Sequence, residues 1–158
     1  KGLSMKKAKS SFCILFFFLN ISAIFADGHA KITISDLWIS EAPASASVLV
    51  AYVKLKNNTS LPISLTNITS TSFSSIEIHR TVIKNDVATM ERFSKLEIPS
   101  DSTLKLLPGD YHLMLFNPNK PLSLGDKTEF IFYFSNESKI LMEAEVKKRN
   151  INKSQHNH

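Results

Sequence analysis

The chain lacks cysteine almost entirely: Cys13 is its single thiol, and it sits inside an apolar run near the N-terminus. That position is not the edge of the run, where a lipid-bearing cysteine belongs, so lipid attachment is not expected. If the run is cut off, the mature chain has no disulfide, no thiolate zinc site and no thiol nucleophile. A helical period is missing as well: beyond the leader no window longer than about ten residues holds one. Internal repeats are also lacking. Net charge is nearly missing too, once the leader is discounted. Residues 1–26 contain Lys1, Lys6, Lys7 and Lys9 and no acid, and removing those four from 19 basic residues leaves 15 against 14 acids. The high pI therefore reports the leader, and a nucleic-acid partner loses its main support.

What is present begins with export. From Met5 the chain runs through Lys6-Lys7-Ala8-Lys9, then an apolar stretch from Phe12 to Phe25, then Ala26 and polar Asp27-Gly28-His29. This is the order of a signal peptide, with an apolar segment of roughly 14 residues against about 20 for a membrane span. We read 1–26 as a cleaved signal peptide, with residues 1–4 preceding Met5 outside the fold argument. No stable membrane insertion is expected after cleavage. Residues 27–147 form one domain, and 148–158 are a polar, flexible tail.

The domain is punctuated by turn chemistry at Asn57-Asn58, Lys84-Asn85-Asp86, Pro108-Gly109-Asp110, Asn117-Pro118-Asn119 and Ser135-Asn136-Glu137. Between these turns lie short alternating runs rich in β-branched and aromatic residues, at 31–35, 51–56, 63–68, 75–82, 87–93, 103–107, 112–116, 127–134 and 140–146. The pattern predicts an all-β fold, a Greek-key β-sandwich or barrel of about eight or nine strands.

Within this frame, His112 and Met114 share one strand face, opposite Leu113 and Leu115. Ile76 and Ile78 point inward in the same way, which turns Glu77 and His79 outward. Both histidines and Met114 are therefore expected near solvent. A histidine on a strand is ordinarily a surface residue and a methionine ordinarily core filler, which is the reading for Met142. A metal site requires His79, Met90, His112 and Met114 to converge, and the sequence leaves that open. If they do, two imidazoles and two thioethers form a neutral, soft donor set that favours copper(I) over zinc, magnesium or calcium. Thioethers also escape the disulfide formation that removes thiols in an oxidising compartment.

The spacing His79, ten residues, Met90, twenty-one residues, His112, one residue, Met114 resembles the signature of the PCu(A)C family of periplasmic copper chaperones. Asp36-Leu37-Trp38, Ala51-Tyr52-Val53 and Pro108-Gly109-Asp110-Tyr111-His112-Leu113-Met114-Leu115 are similar to the family's surrounding segments, and the likeness covers roughly 31–147. Ser40 stands where the family commonly has Arg, and extra methionines after His79 are missing.

The resemblance implies a cupredoxin-like sandwich in the periplasm. It would hold one copper(I) per chain on an exposed site made by His79, Met90, His112 and Met114, and would not be an enzyme. The implied task is copper delivery for cytochrome c oxidase assembly, to oxidase subunit II or a Sco-type factor, and a monomer is expected.

Other readings remain. An electron-transfer cupredoxin needs a cysteine thiolate, which the mature chain lacks. An enzyme would recruit Glu77 or Asp110, though Asp110 reads as a turn residue. A metal-free structural or interaction sandwich of the cell envelope is the alternative. Cleavage after Ala26 would also expose Asp27-Gly28-His29, whose amine, amides and imidazole can wrap copper(II) as a secondary site. His156 and His158 offer tail ligands, although polar tails are ordinarily just solvated.

Overall fold

The computed structural model describes residues 31–149. The leader, the Asp27-Gly28-His29 motif, His156 and His158 lie outside the described residues. Ten strands follow one another: β1 (Ile32–Ser40), β2 (Val48–Asn57), β3 (Ile63–Thr69), β4 (Phe73–Lys84), β5 (Val87–Phe93), β6 (Leu96–Ile98), β7 (Thr103–Leu106), β8 (Tyr111–Pro118), β9 (Lys127–Phe134) and β10 (Lys139–Lys147). Among the described residues there is no helix, so the all-β, cupredoxin-like class holds. The strand count exceeds the expected eight or nine because of β6. Its three residues are too few to show a period, and its Leu96 and Ile98 are buried.

Hydrogen bonding runs in the order β5-β4-β8-β2-β1-β10-β9-β3-β6, with β7 paired to the second half of β2. The pairs are antiparallel apart from β1 with β10. The sheet folds over a core of Ile39, Leu55, Leu65, Ile98, Leu106, Leu113, Leu115, Phe130 and Phe132. At the far end the buried Asn57 ties β2 to β6, donating from Nδ2 to the carbonyls of Leu61 at 2.8 Å and Ile98 at 3.1 Å. Buried amides persist where such partners exist, because an unpaired one costs about 1–3 kcal/mol.

Strand β1 carries a bulge that matters for the site. Ile32 and Ile34 are buried in alternation, then the register against β2 shifts between Ser35 and Trp38, and Asp36 takes φ +52°. One residue is absorbed there, so the inward positions become Leu37 and Ile39. Trp38 is thereby turned to the other face of the sheet, where its ring lies 4.8 Å from that of Tyr52. The Lys54 ammonium, 2.6 Å away, holds the bulge and keeps the Asp36 carboxyl below its usual pKa.

Candidate metal centre

The site is built on β4 and β8, which run antiparallel. Their register sets Glu77 opposite Met114, Ile78 opposite Leu113, and His79 opposite His112. Directly paired residues point to the same side. Ile78 and Leu113 enter the core, so Glu77, His79, His112 and Met114 stand together on the sheet's second face. The ring centroids of His79 and His112 are 6.2 Å apart.

That face is not open to solvent as the sequence pattern suggests. His112 is only 4% exposed and the His79 side chain 13%. The expectation of an exposed pair is corrected for a local reason: the neighbouring strands put large side chains on this face. The β2 register brings Val50 beside Met114, and alternation then places Tyr52 on the same side, where it is buried and packed on Trp38. Burial lifts the Tyr52 phenol above its ordinary pKa, while Arg149 acts weakly in the opposite direction.

Each histidine has one nitrogen engaged. His112 Nδ1 lies 2.9 Å from the carbonyl oxygen of Asp110. A carbonyl only accepts, so Nδ1 carries the proton and Nε2 keeps its lone pair. His79 Nε2 lies 2.8 Å from Glu77 Oε2. The carboxylate likewise accepts, which leaves the lone pair of His79 on Nδ1. Among the described residues, that Nδ1 is the buried side-chain nitrogen or oxygen without a hydrogen-bond partner. The cost of such an orphan, about 1–3 kcal/mol, is removed if a cation takes the lone pair.

The Asp110 carbonyl is itself fixed in place. Gly109 at φ +85° makes the turn, and Asp110 N–H donates to Leu107 O at 3.1 Å. Arg80 Nε donates to Asp110 Oδ1 at 2.8 Å, and its guanidinium lies 4.8 Å from the Tyr111 ring centre. The bond to Asp110 pushes the Arg80 pKa further up. Reading Asp110 as a turn residue is right about its place but misses that its carbonyl aims His112.

Met114 is partly buried and stands one step along β8 from His112. Met90 is placed differently. It pairs with Thr81 on β5, so it shares the face but lies on the opposite side of His79 from Met114. With strands about 4.8 Å apart and residues about 3.4 Å along, its Cα is roughly 12 Å from that of His112. It is 60% exposed. The fold thus gathers His79, His112 and Met114, with Glu77 and not Met90 as their nearest companion. Met90 rides on the part of the β4–β5 hairpin that extends beyond β8, whose pairing with β4 stops at Arg80.

An ion about 2 Å from each of two imidazole nitrogens sets the ring centroids at most about 6.3 Å apart. The observed 6.2 Å admits one ion between the rings at the upper edge of that range. Oxygen-rich cages are not on offer: among the described residues no group of three or more His, Cys, Asp or Glu could hold a metal.

The LpqE-like family matches residues 32–146, which span the ten strands almost completely. The chain belongs to this LpqE-like, or PCu(A)C, family. A Leifsonia xyli relative, Lxx21020, carries a lipoprotein name and is 36% identical over 114 residues. An uncharacterized protein of Rickettsia prowazekii, RP573, is 28% identical over 96 residues. These alignments cover 72% and 60% of the chain, and the chain spans only 66% and 53% of the two relatives' lengths. Among solved structures the fold is similar to a copper-bound PCuAC domain from PmoF2, with TM-score 0.65 and 21% identity over 76% of this chain and 95% of that one. The copper(I) form of DR1885 from Deinococcus radiodurans gives TM-score 0.62 and 24% identity, covering 80% of this chain and 83% of that one.

Proposed function

We propose that this protein is an extracytoplasmic copper chaperone that carries one copper(I) ion as cargo and passes it to an acceptor protein. The observation that carries the reading is the pair of facing histidines. Each has one nitrogen tied to an acceptor, and the other, Nδ1 of His79 or Nε2 of His112, is left as a lone pair. That is the arrangement in which a ligating histidine is held by a partner on its other nitrogen. The thioether of Met114 on the same face makes the set soft and uncharged, which favours copper(I). The family relationship and the copper-bound structural neighbours agree with this cargo.

In our reading His79, His112 and Met114 form the seated part of the site, and Met90 completes it from the hairpin. Delivery is ligand exchange. An acceptor's sulfur or nitrogen joins the ion while the chain's ligands leave singly, beginning with Met90 on the exposed arm. No bond of an organic substrate is made or broken, so the role is carriage, not catalysis. Oxidase subunit II or a Sco-type assembly factor in the periplasm is the acceptor class that the family relationship suggests.

The test is anaerobic copper(I) titration of the purified chain under competition with a chromogenic chelator, beside the double variant His112→Ala/Met114→Leu. One tightly held ion per chain, lost in the variant, is expected. Binding that the variant leaves untouched would sink the site, and absence of tight binding would sink the function.

A further inference from the structure

We infer that Glu77 is the positioning residue of this site: with Arg92 anchoring its carboxylate, it fixes His79 in the tautomer that presents Nδ1. The purpose of this arrangement rests on the copper reading above. The arrangement itself rests on geometry.

Glu77 and His79 are two apart on β4 and so share a face, with Met114 opposite the first and His112 opposite the second. From the other side, β5 brings Arg92 opposite His79. The Glu77 carboxylate divides its oxygens between these neighbours: Oε2 accepts from His79 Nε2 at 2.8 Å, and Oε1 forms an ion pair with Arg92 Nη1 at 3.3 Å. The Glu77 side chain is only 22% exposed and that of His79 13%, so the contact between these two is sheltered from the water that weakens ordinary surface pairs.

The two histidines are thus aimed by different devices. His112 is aimed by a backbone carbonyl, which no substitution removes. His79 is aimed by a side chain. Without the carboxylate, the proton of a neutral imidazole has nothing to keep it on Nε2, and the lone pair no longer stays on the buried Nδ1. Glu77 is poorly suited to be a ligand in its own right, since one oxygen accepts from His79, the other pairs with Arg92, and a carboxylate is a hard donor. Arg92 sets the carboxylate's direction from the neighbouring strand. It reaches the site only through Glu77.

The experiment uses the whole chain in two forms. Histidine-labelled apoprotein is examined by long-range proton–nitrogen NMR at fixed pH for the wild type, Glu77→Leu and Glu77→Gln. The same three proteins are then titrated anaerobically with copper(I) against a chelator. Wild-type His79 should be protonated on Nε2 and bare on Nδ1. Glu77→Gln, which keeps an acceptor oxygen, should match it. Glu77→Leu should show mixed tautomers and weaker copper binding by roughly 10–100-fold, the usual cost of losing a residue that orients a ligand. Glu77→Gln should restore most of that loss.

A wild-type His79 protonated on Nδ1 overturns the inference. So does a folded Glu77→Leu with unchanged tautomer and unchanged affinity. If Glu77→Leu does not fold, Glu77→Ala takes its place, and an unchanged tautomer with unchanged affinity in that variant overturns the inference. A tautomer that responds to Glu77 in a chain that binds no copper upholds the positioning and removes the chaperone function.

Discussion

The folded body and the hairpin arm beside it are built on opposite principles. In the body, β8 is bounded by β4 on one side and β2 on the other, and its Leu113 and Leu115 are completely buried. Beyond Arg80 the β4–β5 hairpin has no third strand. Its apolar residues Ile83, Val87 and Met90 are exposed, and its tip turns on Asn85 and Asp86, both at positive φ. A two-residue turn of that kind suits a hairpin, yet a two-stranded ribbon by itself is only marginally stable. The difference bears on the proposed carriage and release of copper. Three candidate ligands stand on the packed face, and the fourth stands on a two-stranded arm beyond it.

The largest effect is expected in the body. Phe132→Ala empties a fully buried position and should cost about 3–5 kcal/mol, read as a drop in the urea unfolding midpoint. Next comes the face itself. His112→Ala should weaken copper(I) binding by at least about 100-fold, or about 2.7 kcal/mol, in chelator competition.

The arm should respond more gently. Asp86→Pro forces a residue at φ +60° toward about −65°, so the tip cannot close. Copper affinity should fall roughly tenfold, about 1.4 kcal/mol, matching Met90→Leu, while the unfolding midpoint of the body stays in place. If Asp86→Pro lowers that midpoint as far as Phe132→Ala does, the arm is part of the body and the contrast fails. Hydrogen exchange sharpens the same contrast: amides of 82–90 should exchange well before those of 112–115.

The smallest effect concerns pH. Burial raises the Tyr52 pKa above 10.0, so between the unfolded and folded values the native state holds the proton that the unfolded chain has lost. Stability is therefore full below pH 10 and declines as pH rises further. Tyr52→Phe should flatten this alkaline decline in pH-dependent melting.

Much of this body was readable from residue pattern. Nine of the ten strands follow from alternation and turn residues, and the face shared by His112 and Met114 follows from a spacing of two. The burial of His112 did not follow, because alternation says which side a residue takes and not what covers that side. On that side Tyr52 and Trp38, from strands distant in sequence, present large side chains. Nor did the partners that aim the rings follow. The Asp110 carbonyl is backbone, and the bond between Glu77 and His79 is set by side-chain torsions that no spacing specifies.

The bulge at Asp36 shows how much can hang on one residue. Side-chain direction along a strand works as a binary frame, and Asp36 is where β1 changes frame. Were β1 to run on without absorbing that residue, it would undergo a structural frameshift: Trp38 would face into the sandwich, and Leu37 and Ile39 would face outward beside Tyr52, without altering any of the four candidate ligands; deleting Asp36, by contrast, would remove the extra residue and leave Leu37 and Ile39 inward.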